Sequence, residues 1–161
     1  MQLTGYFPGA IGKITELHAI YYSDNWGLDI SFESQVAREL SEFVSGFQKN
    51  QDGFWVATVG GEFAGSIAID GKQDSVRGAR LRWFIVDPRF QGHGIGRVML
   101  SEALAFCQSA GYKRVYLWTF KGLDAARSLY EQAGFRLCEE HDVHQWGSDL
   151  TEQMFEMSLK A

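Results

Sequence analysis

Val86-Asp87-Pro88-Arg89-Phe90-Gln91-Gly92-His93-Gly94-Ile95-Gly96-Arg97 is a β-prone run that stops at a proline, crosses a glycine-rich turn and enters a helical pattern. Proline lacks the N–H that a strand ladder needs and restricts the residue before it, so the strand ends at Asp87-Pro88. Glycines at positions 92, 94 and 96 remove the Cβ atoms that would block a ligand. They also permit backbone angles that turn successive N–H groups into one concavity. A helix starting near Gly94 adds unpaired N–H groups and the positive end of its dipole, so the turn suits a phosphate or pyrophosphate, with Arg97 beside it. Two familiar phosphate loops do not fit. Arg97-Val98 stands where the Walker loop needs Lys-Ser or Lys-Thr, and G-H-G-I-G does not meet the dinucleotide fingerprint G-x-G-x-x-G. A tight strand-to-helix connection without a ligand is the plain alternative.

Working outward, Ile95, Met99, Ala103, Phe106 and Ala110 form one helical stripe after the turn, with Leu100, Leu104 and Cys107 beside it and Gly111 as a stop. Before the turn, the runs Phe54–Val59 and Phe63–Ile69 meet at Gly60-Gly61 as a hairpin, and a third strand covers about 80–86. After the helix come a strand at Val115–Trp118, a helix from about Leu123 to Ala133, a strand from Phe135 to about Asp142, and an alternating run through Phe155, Met157 and Leu159. Near the start, a short strand over Gly12–Glu16, helical turns around His18–Asn25 and a helix from about Ser31 to Phe47 are predicted. The fold class is therefore α/β in the α+β sense: one mostly antiparallel sheet flanked by helices, with a parallel crossover at its middle.

The chain has 161 residues, 45% hydrophobic and 22% charged, which predicts a single globular domain over 1–161. Fifteen Lys and Arg against 20 Asp and Glu give a net charge of -5, and no broad attraction to nucleic acid or anionic lipid follows. No apolar run approaches the ~20 residues that span a bilayer. The start MQLTGYFPGA lacks the basic region and apolar core of a signal peptide, so the cytoplasm is the expected compartment. Cys107 and Cys138 cannot form a disulfide framework and read as small buried thiols. His141 and His144 have no third and fourth ligand to make a structural zinc site, and no metal is expected.

The stretch from Val86 to Arg97 resembles the strand, proline and pyrophosphate loop of the GCN5-related N-acetyltransferases, whose Q/R-x-x-G-x-G/A motif is matched by Gln91, Gly94 and Gly96. Ala126-Arg127-Ser128-Leu129-Tyr130-Glu131-Gln132-Ala133-Gly134-Phe135 is similar to a second segment of that family, A-x-x-L-Y-x-x-x-G-F. The likeness covers roughly residues 54–138. The earlier Tyr21–Asp29 stretch, followed by Phe32-Glu33, resembles a subgroup found fused to MarR-type regulators.

The resemblance implies a sheet with splayed central strands and acetyl-CoA as co-substrate. Phe84, Ile85 and Val86 would pair with the pantetheine arm, and Gln91, Gly92, His93, Gly94, Ile95, Gly96 and Arg97 would hold the pyrophosphate. A backbone N–H near Val86 is a candidate oxyanion donor. Tyr130 matches the family's proton donor to the departing thiolate, since an ordinary tyrosine pKa of ~10 lies above the ~8.5 of a thiol. No carboxylate occupies the strand at 115–119, so Glu33, or Asp29 acting directly or through water, is the candidate base, with solvent-exposed helix charges as the alternative. Leu123 stands where many relatives carry a cofactor-contacting Asn. Tyr22, Trp26, Asp29 and Trp83 are candidate acceptor-binding residues, with ordinary core packing as the alternative for the aromatics. The implied reaction is acetyl transfer to a primary amine, small-molecule by preference. A non-catalytic acyl-CoA sensor, a protein or peptide acetyltransferase and a homodimer stay open.

Overall fold

The computed structural model describes residues 1–73 and 75–160. Its elements are β1 (Gln2–Thr4), α1 (Ala10–Trp26), α2 (Ile30–Ser45), β2 (Gly53–Val59), β3 (Glu62–Asp70), β4 (Ala79–Val86), α3 (Ile95–Ser109), β5 (Arg114–Phe120), α4 (Asp124–Ala133), β6 (Arg136–Gln145) and β7 (Ser148–Ser158). The strands form one sheet in the order β1-β2-β3-β4-β5-β7-β6. Every adjacent pair is antiparallel except β4 and β5, which run parallel with α3 as the crossover. The expected mixed, mostly antiparallel architecture is therefore present.

Each face of the sheet carries two helices. On one, Met99, Leu100, Ala103 and Cys107 of α3 and Tyr130 of α4 pack on Ile67, Ile69, Leu81 and Leu117. On the other, Ile14 of α1 with Leu40 and Phe43 of α2 pack on Val56 and Ala68. A separate aromatic group, Phe32, Phe120, Tyr22 and Trp146, closes the end of that face beyond β5. β3 is buried from Ala64 onward because it has helices on both sides.

Three expectations are corrected. Residues 12–16 are not a strand but lie inside α1: Ala10, Ile14 and His18 recur at four-residue steps and are all buried, whereas alternation would group Ile14 with Gly12 and Glu16. α2 starts at Ile30 because the Asp29 carboxylate accepts from the Ser31 N–H at 2.9 Å as its cap, and it stops at Ser45, leaving Phe47 outside. Cys138 is exposed, since β6 is an edge strand with most of its side chains in solvent. Cys107 is buried, and burial pushes its thiol up to about 12. The strand β1 gives no sequence signal of its own. Three residues suffice only because β2 offers them an edge.

His18 is 5% exposed, and its Nδ1 donates to the Ile14 carbonyl at 2.8 Å. Burial opposes a charged ring, so its pKa falls from 6.5 to about 4. The sign follows directly. The unfolded chain takes up the proton first as pH falls, so this contribution is complete above pH 6.5 and is lost between 6.5 and about 4. Its full size is roughly 3 kcal/mol. Urea unfolding at pH 7.5 and pH 4.5 should show the wild type losing stability on acidification, and His18→Gln losing clearly less. Parallel losses in the two proteins would remove His18 from the acid response.

Candidate active site

The parallel pair that centres the sheet is short. β4 and β5 are joined only at Ala79↔Val115 and Arg80↔Tyr116, whereas β5 pairs with β7 along its whole length. Beyond Arg80 the two strands part, and the opening becomes a cavity of about 960 Å³ lined from β4 by residues 80–86 and from β5 by residues 117–120. Freed N–H and C=O groups on diverging strands must find another partner, and an amide-rich chain laid between them supplies one.

A bulge in β4 determines what faces this cavity. Ser66 pairs with Ile85 and Ala68 with Arg82, so Trp83 and Phe84 together oppose Ile67. Trp83 has φ +47, rare for so bulky a residue, and its carbonyl accepts from Ser66 Oγ at 2.7 Å. The extra residue shifts the alternation. Arg82 and Trp83 both lie toward α2, where Trp83 meets Phe43 and Arg82 pairs with Glu39, while Phe84 and Val86 lie toward α3 and α4.

At the outer end of the cavity is the glycine turn. Gly92 and Gly94 have φ of +83 and +81, and a Cβ on either would meet nothing within 4 Å. Gly96 differs: a Cβ there would lie 3.1 Å from Leu129 and 3.4 Å from Phe84, so this glycine lets α3 approach β4 and α4. The helix cap Gly94 has no side chain to satisfy the first turn, and the backbone N–H groups from Gly92 to Arg97 make no hydrogen bond with a described residue. This is a cradle of donors suited to a diphosphate. Gln91 turns inward, its Nε2 donating to the Val86 carbonyl at 3.3 Å, and Arg97 donates to Gln132 Oε1 at 3.3 Å. His93 is exposed, with Nδ1 3.2 Å from the Phe90 carbonyl, and it does not line the cavity.

Tyr130 lines the cavity from α4. It is buried among Phe84, Phe135 and Phe155, with centroids 5.9, 5.7 and 6.0 Å away, and its hydroxyl has no hydrogen-bond partner among the described residues. Burial first, and the neighbouring Tyr22 second, push its pKa above the ordinary tyrosine value. Tyr22, itself pushed up by burial, lines the same cavity with Trp83.

Other expected residues do not reach the cavity. Glu33 is exposed on α2 outside the lining, because Phe32 and Val36 take the inward positions. Asp29 is likewise outside, occupied as the α2 cap. Trp26 packs behind Tyr22 at 5.6 Å without lining the cavity. The inward carboxylate of α2 is Glu39, already paired with Arg82.

Two further carboxylates line the cavity: Asp124, at the start of α4, and Glu152 on β7, which pairs with Phe120 and so shares its face. Burial raises its pKa above the usual carboxylate value, against the opposing effects of Arg80 and His141. Sequence reading stopped the last strand short of it, since Gln153 and Met154 are both buried and break the alternation. Among the described residues no group of His, Cys, Asp and Glu could hold a metal ion, and no helix is long and apolar enough to cross a membrane.

The chain is 30% identical over 140 residues to N-acetylaspartate synthetase of Xenopus tropicalis, covering 84% of this chain and 51% of that protein. It is 30% identical over 100 residues to an uncharacterized N-acetyltransferase of Methanocaldococcus jannaschii, covering 60% of this chain and 43% of that protein. The chain thus spans about half the length of the curated relatives it matches. A GNAT-family acetyltransferase from Staphylococcus aureus Mu50 shares the fold at TM-score 0.79 and 18% identity, with 99% of each chain covered. A Salmonella typhimurium protein solved with acetyl-CoA as its cofactor does so at TM-score 0.74 and 15% identity, covering all of this chain and 95% of the other. The profile described as the acetyltransferase (GNAT) family matches residues 13–135, which take in the splayed strands, the glycine cradle and Tyr130, and the chain belongs to that family.

Proposed function

We propose that the protein transfers an acetyl group from acetyl-CoA directly to a primary amine of a small molecule. The observation that carries this reading is the continuity of one cavity from the donor cradle at residues 92–97, along the parted strands, to an aromatic and charged end beside Tyr22, Trp83 and Glu152. The cradle fits a pyrophosphate: its glycines leave space where side chains would intrude, and its donors have no acceptor among the described residues. Acetyl-CoA would supply an acyl group already activated as a thioester.

The remaining chemistry belongs to the side chains. An alkylamine is mostly protonated at neutral pH and cannot attack until it loses a proton. Glu152, with its pKa raised by burial, is our candidate to take that proton, in place of the exposed Glu33. Tyr130 keeps its proton throughout the neutral range and can hand it from Oη to a departing sulfur. The N-acetylaspartate synthetases are named for an N-acetylated small molecule, which supports a small acceptor here. The likeness of Tyr21–Asp29 to the MarR-fused subgroup rests on that stretch alone. Free Cys107 and Cys138 agree with the cytoplasm as compartment.

Calorimetric titration should show saturable acetyl-CoA binding by the wild type and none by Gly94→Trp, whose ring would fill the cradle. Retained binding in the variant would place the pyrophosphate elsewhere, and no binding by the wild type at millimolar ligand would overturn the function. With an accepted amine, Tyr130→Phe should lower kcat by on the order of 10² while leaving acetyl-CoA affinity within a few fold. An unchanged kcat would remove it as the acid. The acid limb of the kcat/KM profile should lie above the usual carboxylate range and disappear in Glu152→Gln, since the base form is lost as pH falls through the raised pKa. A limb that survives the substitution assigns the base to another group.

A further inference from the structure

Two arginines alternate along β4 on the face that looks toward α2, and the protein treats them differently. Arg82 is fully engaged: it donates to Asp70 at 3.0 Å, pairs with Glu39, and lies 4.1 Å over the Trp83 ring. Arg80 is not. Its side chain makes no hydrogen bond or ion pair with any described residue, its Nε is buried without an acceptor, and it lines the cavity. Glu152, Glu39 and Asp70 are near enough to interact with Arg80 electrostatically, yet none of them is in ion-pair contact with it. A buried guanidinium donor without an acceptor is costly, and native proteins keep such groups where something outside the chain completes them.

The position fits an acceptor and not the acyl donor. Arg80 is the last β4 residue paired to β5, at the closed end of the splay, while the donor cradle lies past the other end of β4. At about 3.3 Å per residue in regular strand, and less across the bulge, Arg80 and Phe84 are at most about 13 Å apart along β4, a span that side chains and a small acceptor can fill from both ends. A planar guanidinium with its donors free matches a carboxylate in two-point geometry.

We propose that Arg80 is the anchor for a carboxylate on the acceptor, so that the substrate is an amino acid or a close relative carrying both an amine and a carboxylate. This rests on the acetyltransferase reading above. It adds a selectivity that an aromatic pocket alone would not give: the carboxylate sits on Arg80, and the amine is left on the side of Glu152 and Tyr130.

The test uses CoA-loaded protein, in which no turnover occurs, titrated calorimetrically with the standard L-amino acids and with the α-amide of each. At least one acid should bind at least ten-fold more tightly than its amide. Arg80→Gln should weaken that acid on the order of 10- to 100-fold, leaving its amide and CoA unchanged. Amides that bind as well as acids, an acid whose affinity survives the substitution, or no amino acid binding at millimolar concentration with CoA binding intact would each overturn the proposal. Should Arg80→Gln lose CoA as well, the wild-type comparison of acid with amide decides alone. Failure of the wild type to bind CoA or acetyl-CoA would instead strike the acetyltransferase reading itself.

Discussion

The two-pair contact between β4 and β5 is the constraint on which the rest of the molecule depends. Paired along their full length, these strands would close the middle of the sheet, and the backbone groups that now line the cavity would be spent on each other. The separation is sustained from both sides. β5 is held by the full antiparallel ladder to β7, β4 is held by β3, and aromatic residues from α1, α2 and the β6–β7 turn fill the far end. The opening is therefore a product of where the neighbouring strands are tied, and no flexible segment is needed to create it.

The bulge at Trp83 and Phe84 converts that opening into a site with two chemically different walls. A regular strand would send Trp83 toward α3 and Phe84 toward α2. The extra residue reverses this, so that Phe84 meets Tyr130 on one side while Trp83 and Arg82 meet Phe43 and Glu39 on the other. One side is thus dry and aromatic, which holds the Tyr130 proton in place. The other carries ionised groups, most of them already paired. The Ser66 hydroxyl donates to the Trp83 carbonyl of this strained geometry from a fully buried position, so the bulge is part of the core and not a surface irregularity.

Much of this was legible in the sequence for a physical reason: the features concerned are local. Proline and glycine punctuate the chain wherever they occur, so the end of β4, the cradle and the start of α3 could be read from residues 86–97 alone, as could the stripe of α3 from its spacing. Features set by tertiary pairing were not legible. Gly12–Glu16 carries a short apolar pattern that suits a strand as well as a helix, and packing on β2 and β3 decides for the helix. The bulge leaves no mark in the string Arg82-Trp83-Phe84. Glu33 and Glu39 look alike in a helical pattern, and only the rotation of α2 about its buried residues turns one inward. Glu152 and Arg80 come from strands distant in sequence and share a cavity only because β7 and β4 both neighbour β5.

A net charge of -5 and a proposed seat for a polyanion are compatible, and the geometry of the cradle gives the reason. Net charge governs attraction over distances comparable to the screening length, about 8 Å at physiological salt, and sets how often an anion arrives. Retention is decided at contact, by donors already aimed and already free. From Gly92 to Arg97 those donors are backbone N–H groups, fixed by the φ of two glycines and by the start of α3, so little order has to be gained on binding. The same logic separates the two ends of the cavity. The cradle would hold a ligand through many weak dipoles and tolerate an acidic surface around it, whereas at the closed end the Arg80 Nε has no acceptor among the described residues, and there a single charged side chain would select the molecule that fits.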